Sequence, residues 1–282
     1  MPAASIDEAI AALVEYGYDA KILAGGQSLI PMLKLRLAAP RVLIDLSRLS
    51  SLSFIDAGDD HITIGALTPE SALEESPLLR ERLPILVDTS SVIADPLVRN
   101  LATVGGNVAH GDPANDHPAT MVALGATFTV HGPDNTREIG AEEFFVDLFT
   151  TSLRDDEILT DIRVPVSRPG TGAAYVKYER QVGDYAIAGA AVFVETKDER
   201  ITNARIALTN LGSTPVRAQE AERLLASAPW SETLSVDAGN AATAAVTPWS
   251  DMRGSANYRR RVAAHVTTQA VHTAFARAGE AR

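Results

Sequence analysis

The chain has 282 residues, 46% hydrophobic and 22% charged, which excludes disorder as its main state. At about 150 residues per domain it holds two domains, and it can bury roughly three quarters of its unfolded surface without covalent staples. There is no cysteine, and 25 Lys and Arg stand against 36 Asp and Glu, for a formal net charge of −11. The first fact excludes disulfides, zinc–thiolate sites, thiol catalysis and iron–sulfur clusters held by the chain's own thiolates. The second argues against a general nucleic-acid binder, whose affinity comes mainly from neutralising phosphates. No run is long and apolar enough to span a membrane. Met1-Pro2-Ala3-Ala4-Ser5 lacks the basic start and apolar core of an export signal, so the expected compartment is the cytoplasm.

Ser5-Ile6-Asp7-Glu8 has the form of a capping box, and Ile6, Ile10, Leu13 and Val14 then recur at helical spacing up to Gly17. Lys21 to Ala24 reads as a short buried strand. It runs through Gly25-Gly26-Gln27-Ser28 into a helix beginning near Leu29, and Val42 to Asp45 is a second strand. This order predicts a small parallel unit. Phe54 to Asp56 and Ile62 to Gly65 form a hairpin across Gly58-Asp59-Asp60. Leu78 to Val87 is one helix. Leu101 to Asp116, rich in Gly, Asn and Asp, is an ordered loop, and Thr120 to Leu124 is helical. Phe128 to Val130 and Thr136 to Ile139 flank a second hairpin turn, and Ile158 to Val164 is a strand ending at Pro165.

Val166 to Gly170 is the domain boundary, because Pro and Gly punctuate it. Ala173 to Tyr178, Ile187 to Thr196 and Ile201 to Leu208 are three long strands. Helices follow near Val216 to Ala226, Thr233 to Val246 and Tyr258 to Arg277. Strands followed by helices predict an α+β layer. Arg259-Arg260-Arg261 on the last helix reads as a solvated face.

Four stretches carry chemistry. Paired glycines at Gly25-Gly26, between a strand and a helix, allow backbone amides to converge on an anion. Thr103-Val104-Gly105-Gly106-Asn107 repeats that chemistry, and the two segments together can clamp one phosphate-bearing ligand. An acidic chain that binds a diphosphate needs such a device, because its global field is unfavourable. Neither segment matches the dinucleotide fingerprint or the phosphate loop ending in Gly-Lys-Ser/Thr. His110-Gly111-Asp112-Pro113-Ala114-Asn115-Asp116-His117 holds two His and two Asp, but lacks metal-ligand spacing, and its prolines point to a turn. It is read as a polar ligand contact or loop hydrogen bonding, with no metal. Lys177 to Ala186 clusters charges and tyrosines at a strand end, where Tyr185 sits either in solvent or at a site mouth. Hydrolase signatures are absent.

In order and over nearly the whole chain, these pieces resemble the FAD-carrying medium subunits of the molybdenum hydroxylases, the xanthine dehydrogenase and aerobic carbon monoxide dehydrogenase family. The resemblance rests on Ala24-Gly25-Gly26-Gln27-Ser28-Leu29-Ile30-Pro31, Ile44-Asp45, Thr103 to Asn107, Asp116, Arg180 and Asp184-Tyr185-Ala186. It implies an FAD-binding domain of the vanillyl-alcohol-oxidase (PCMH) type over residues 1–166, in subdomains of about 1–50 and 51–166. A C-terminal domain over 170–282 would carry a three-stranded antiparallel sheet with helices.

The resemblance also implies roles. Ala24, Gly25, Gly26, Gln27, Ser28 and Leu29, with Thr103, Gly105, Gly106 and Asn107, would hold the FAD diphosphate, largely through backbone amides. Asp116 would contact the ribityl or diphosphate side of the cofactor, and Lys177 would lie near the flavin. Tyr185 would lie over the isoalloxazine ring and limit solvent and dioxygen access, and Ile158 or Ile162 would pack against the ring. No side chain would be catalytic. Electrons would arrive from [2Fe-2S] clusters on a small partner, after oxidation at a molybdenum–pterin cofactor on a large one, in a dimer of heterotrimers. Two departures stand out. The family's opening segment with Phe-x-Tyr and a Pro has no counterpart here, which would leave the first sheet without an edge. Gln27 replaces a His found in several relatives, and both side chains hydrogen-bond. The same residues also suit a stand-alone FAD oxidoreductase, or a non-catalytic nucleotide-binding or assembly module.

Overall fold

A computed structural model describes residues 1–280; Ala281 and Arg282, the end of the expected C-terminal domain, lie outside the described residues. Helix α1 (Ile6–Tyr16) starts as the capping box predicts. Ser5 Oγ accepts from the Glu8 amide at 3.1 Å, and the Glu8 carboxylate reaches back to the Ala4 amide at 2.7 Å. Strand β1 (Ala20–Leu23), helix α2 (Leu29–Lys34) and strand β2 (Val42–Asp45) follow, with β1 and β2 parallel. Met1–Ala3 lie along the other side of β2. The Ala3 amide donates to Asp45 O and the Asp45 amide to Met1 O, at 2.9 and 2.8 Å. The edge expected to be bare is thus covered in part.

Strands β3 (Ile55–Ala57) and β4 (His61–Gly65) form the expected hairpin. Helices α3 (Glu70–Glu75), α4 (Pro77–Arg82), α5 (Pro84–Ser91) and α6 (Pro96–Arg99) come next. The single helix expected over Leu78–Val87 is two. Pro84 lacks an amide proton and forces Leu83 out of the helical region, to φ −145°. The segment expected to be a loop contains helix α7 (Val104–Ala109), and α8 (His117–Leu124) opens three residues earlier than the pattern suggested. Strands β5 (Thr127–His131) and β6 (Thr136–Gly140), helix α9 (Ala141–Phe144), strands β7 (Phe145–Asp147) and β8 (Thr150–Thr151), and strand β9 (Ile158–Pro165) complete this part. Strand β9 inserts between β4 and β5, giving an antiparallel sheet in the order β3-β4-β9-β5-β6.

The C-terminal part holds β10 (Thr171–Glu179), β11 (Ala186–Lys197), β12 (Arg200–Thr209), β13 (Val216–Arg217), α10 (Gln219–Ser227), α11 (Glu232–Ala242) and α12 (Ala256–Glu280). Its antiparallel sheet has four strands, not three. Val216 and Arg217, read as the start of a helix, pair instead with Leu208 and Ala207. Two residues are too few to show a strand period.

Both faces of this sheet are covered, and strand parity decides what each residue meets. Ala174, Val176, Ala190, Val192, Val194, Ile206 and Leu208 pack under the helices. Ala173, Tyr175, Ala191, Phe193 and Ala207 pack against the core built on the five-stranded sheet. Lys177 shares the parity of Tyr175, so it faces the same way. Arg259, expected on a solvated helix face, is buried. Its guanidinium donates to Ile187 O at 2.8 Å and pairs with Asp251 at 2.6 Å.

Candidate functional site

The two glycine-rich segments, far apart in sequence, meet. A side chain at Gly25 would collide with the backbone of Leu101 and Ala102, so only glycine lets the two segments approach this closely. Gly26 takes a φ of +74°, which turns the chain from β1 into α2. Gly105 lies flat against the Ala66 backbone, and a Cβ on Gly106 would point at Thr103 Oγ1 with Ala24 Cβ 3.8 Å away.

The two segments differ in what their amides do. Among the described residues nothing accepts from the amides of Gly25, Gly26, Gln27, Ser28 or Leu29; the Gln27 side chain folds back onto Gly25 O at 3.1 Å. These five half-buried donors remain for a ligand. The second set is spent. The Val104 amide donates to Thr68 O at 3.1 Å, Gly105 to Ala66 O at 2.9 Å, Gly106 to the capping Thr103 Oγ1 at 3.2 Å and Asn107 to Thr103 O at 2.9 Å. The expectation that Thr103 to Asn107 offers loop amides is therefore corrected: the segment is the first turn of α7, and the amides that a helix leaves unpaired at its start are taken by the Thr68 and Ala66 carbonyls and the Thr103 cap. What it leaves open is the Asn107 side-chain oxygen, buried without a partner.

Asp116 is buried at the start of α8. Its Oδ1 accepts from the Tyr175 hydroxyl at 2.6 Å and its Oδ2 from Lys177 Nζ at 3.1 Å. Lys177 also donates to Val92 O at 2.9 Å and lies 3.2 Å from Glu179. Burial pushes the Asp116 carboxyl above the usual aspartate range, partly offset by Lys177 and by the Tyr175 hydrogen bond. Burial and the Asp116 carboxylate hold the Tyr175 phenol well above its ordinary value, so it stays a donor. Sequence reasoning missed Tyr175 and Thr209, whose hydroxyls lie 3.2 Å apart. The signal was present in strand parity, which puts Tyr175 on the Lys177 side.

Tyr185 is 43% exposed, with the Arg253 guanidinium 5.3 Å from its ring centroid. Arg253 in turn donates to Asp184 at 2.9 Å, and Asp112 and Asp116 act on the Tyr185 phenol, which is pushed up mainly by burial. The exposed Arg180 is 3.7 Å from Asp184. The sequence did not point to Arg253 as a partner of Tyr185.

The expectation that Ile158 or Ile162 packs against the ring fails here. Ile162 has 0% of its surface exposed and sits inside the core against its neighbours on β4 and β5, so no face remains for a ligand ring. Ile158 is buried as well. In the polar loop, the Asp112 carboxylate accepts from the Ala114 amide at 2.9 Å, and Asn115 Nδ2 donates to Asn107 O at 2.9 Å. His110 packs against Phe149, and His117 is fully buried beside Glu70. No group of three His, Cys, Asp or Glu arranged to hold a metal occurs among the described residues. Nor is any described helix long and apolar enough to cross a membrane.

Comparison with known proteins shows the family. Residues 1–167 match the family model for the FAD binding domain in molybdopterin dehydrogenase, and residues 173–274 that for the CO dehydrogenase flavoprotein C-terminal domain. The carbon monoxide dehydrogenase medium chain of Hydrogenophaga pseudoflava is 43% identical over 97% of this chain and 95% of its own length. The nicotine 6-hydroxylase medium subunit of Paenarthrobacter nicotinovorans is 35% identical over 97% of this chain and 96% of its own. The solved carbon monoxide dehydrogenase of Hydrogenophaga pseudoflava, in a form lacking the Mo-pyranopterin moiety, superposes with a TM-score of 0.95 at 42% identity, covering 98% of this chain and 96% of that one. The chain therefore belongs to the FAD-binding medium subunits of the molybdenum hydroxylases, oxidoreductases of the carbon monoxide dehydrogenase and xanthine dehydrogenase type.

Proposed function

We propose that this chain is the electron-transfer subunit of a three-component molybdenum hydroxylase, with FAD held between the two glycine-rich segments. One observation carries the placement: five unpaired amides, from Gly25 to Leu29, lie against a second segment whose own amides are spent but whose Asn107 oxygen is orphaned and buried. That donor set suits a diphosphate in an acidic chain, because oriented amides supply local positive potential without cations. The Asn107 oxygen suits a hydroxyl or N–H of the same ligand.

The remaining residues take supporting parts. Ala24 and Gly106 leave open the space between the segments. Val104 and Gly105 fix the second segment against the chain at Ala66–Thr68, and Thr103 caps it at Gly106. Asp116, with both carboxylate oxygens engaged, holds the floor of the site to the C-terminal sheet through Tyr175 and Lys177. Tyr185, half exposed under Arg253, covers the ring side and limits access of solvent and dioxygen. The segments from Ala24 to Leu29 and from Thr103 to Asn107 would hold FAD, which when bound would supply the redox chemistry linking a partner's [2Fe-2S] clusters to an external acceptor. The absence of cysteine supports placing the clusters on another chain. The medium-chain and medium-subunit names of the relatives support large and small partners, here assembled as a dimer of heterotrimers. The domain limits proposed are 1–166, with subdomains of about 1–50 and 51–166, and from 170 onward.

Gly106→Val tests the placement. Its side chain would enter the space between Thr103 Oγ1 and Ala24. The variant is expected to keep the wild-type far-ultraviolet spectrum and to lose bound flavin. Full flavin content at wild-type affinity would contradict the placement, and substrate-dependent bleaching of the isolated chain would favour a stand-alone enzyme instead.

A further inference from the structure

We infer that Glu70 and His117 form a buried positioning pair that ties the Thr103–Asn107 turn to the Asp116 carboxylate; the inference rests on the FAD reading above. The backbone from Ala66 to Glu70 carries the second glycine-rich segment. The Glu70 amide donates to Ala102 O at 2.9 Å, and Thr68 O and Ala66 O accept from Val104 and Gly105. The Glu70 side chain runs the other way. Its Oε2 meets His117 Nε2 at 2.7 Å and accepts from Ser90 Oγ at 3.1 Å. His117 opens α8 directly after Asp116. One residue thus holds the second glycine-rich segment through its main chain and the neighbour of Asp116 through its carboxylate.

Packing alone does not explain this pair. Neither side chain has any solvent exposure, and Glu70 Oε1 and His117 Nδ1 are buried without partners. Unsatisfied buried polar atoms are costly, and two apolar side chains of similar volume would fill the space without that cost. What an apolar pair cannot supply is a directional link between the two segments.

The test is FAD binding by the purified full chain, stripped of flavin and titrated by fluorescence, in the wild-type and Asp116→Asn backgrounds. Thermal unfolding of the flavin-free proteins is followed alongside. His117→Phe and Glu70→Leu are each expected to raise the FAD Kd about tenfold in the wild-type background, and to have less than about a twofold effect beside Asp116→Asn, because the linked groups act as one unit. Glu70→Gln keeps an acceptor oxygen for His117 and is expected to stay within about threefold of wild type. The apolar double variant E70L/H117F is expected to recover thermal stability while its affinity stays low. Equal losses in both backgrounds, an unchanged Kd in His117→Phe, or wild-type affinity in the double variant would each overturn the inference. If Glu70→Leu does not fold, His117→Phe and Glu70→Gln still decide. A wild-type chain that takes up no FAD would overturn the underlying reading itself, before any variant is compared.

Discussion

Gly189 shows how one missing side chain shapes the site. It lies on β11 opposite Lys177 of β10, and a Cβ there would run into the Tyr175 hydroxyl and lie 3.1 Å from Thr209 Cβ. Its absence lets the Tyr175 phenol reach Asp116. Gly189→Ala is expected to displace that phenol and lower the unfolding free energy by about 2 kcal/mol, as overpacked cores do. FAD binding should weaken with it; denaturant unfolding and flavin titration read the two effects. Glu157 offers a pH-dependent counterpart away from the site. Its buried carboxylate receives two 2.8 Å hydrogen bonds from Arg137 and one from the Arg154 amide, also at 2.8 Å. The Arg137 bonds chiefly hold it below the ordinary glutamate value of 4.5. A depressed folded value means that this stabilisation is complete above the unfolded value and is lost as pH falls through the folded one. Glu157→Gln is expected to cost about 2 kcal/mol at neutral pH. The gap from wild type should narrow as unfolding is measured below pH 4.5.

At the level of elements, local signals were legible and composition misled. The capping box at Ser5 predicted the Ser5 bond to the Glu8 amide, while the Glu8 carboxylate reaches back one residue further than the box predicts, to the Ala4 amide. Ser5→Ala is expected to lower stability by about 1 kcal/mol, since that amide of α1 loses its partner; thermal unfolding of the full chain measures it. The run from Leu101 to Asp116 was read as loop because Gly, Asn and Asp favour loops. It instead holds α7, where Gly105 is needed for close packing against Ala66 rather than for a turn. The signal to weigh was Thr103, an N-cap residue three positions before Gly106. Ile162 failed for a related reason. It shares strand parity with Val164, and both are fully buried, so alternation already assigned it to the core face rather than to a ligand.

For the whole molecule, the two Gly-Gly segments, Asp116 and Asp184-Tyr185-Ala186, taken in order along the chain, pointed to the family, while the contacts that complete the site were beyond reach of the sequence. Asp116 and Tyr175 are 59 residues apart, and Asp88 and Arg277, whose charged groups meet at 2.5 Å, are 189 apart. Such pairs follow from how the four-stranded sheet lays one face on the core of the five-stranded one, which no local pattern encodes. The buried face of β10 carries Tyr175 and Lys177 to Asp116, so the C-terminal part helps build the proposed site and is not a separate appendage. The measurement that tests the central claim most directly is the absorption spectrum of the purified chain, followed by identification of the cofactor that heat releases. The account predicts a flavin spectrum and released FAD, with neither iron nor molybdenum. A colourless chain that also fails to take up added FAD would contradict it.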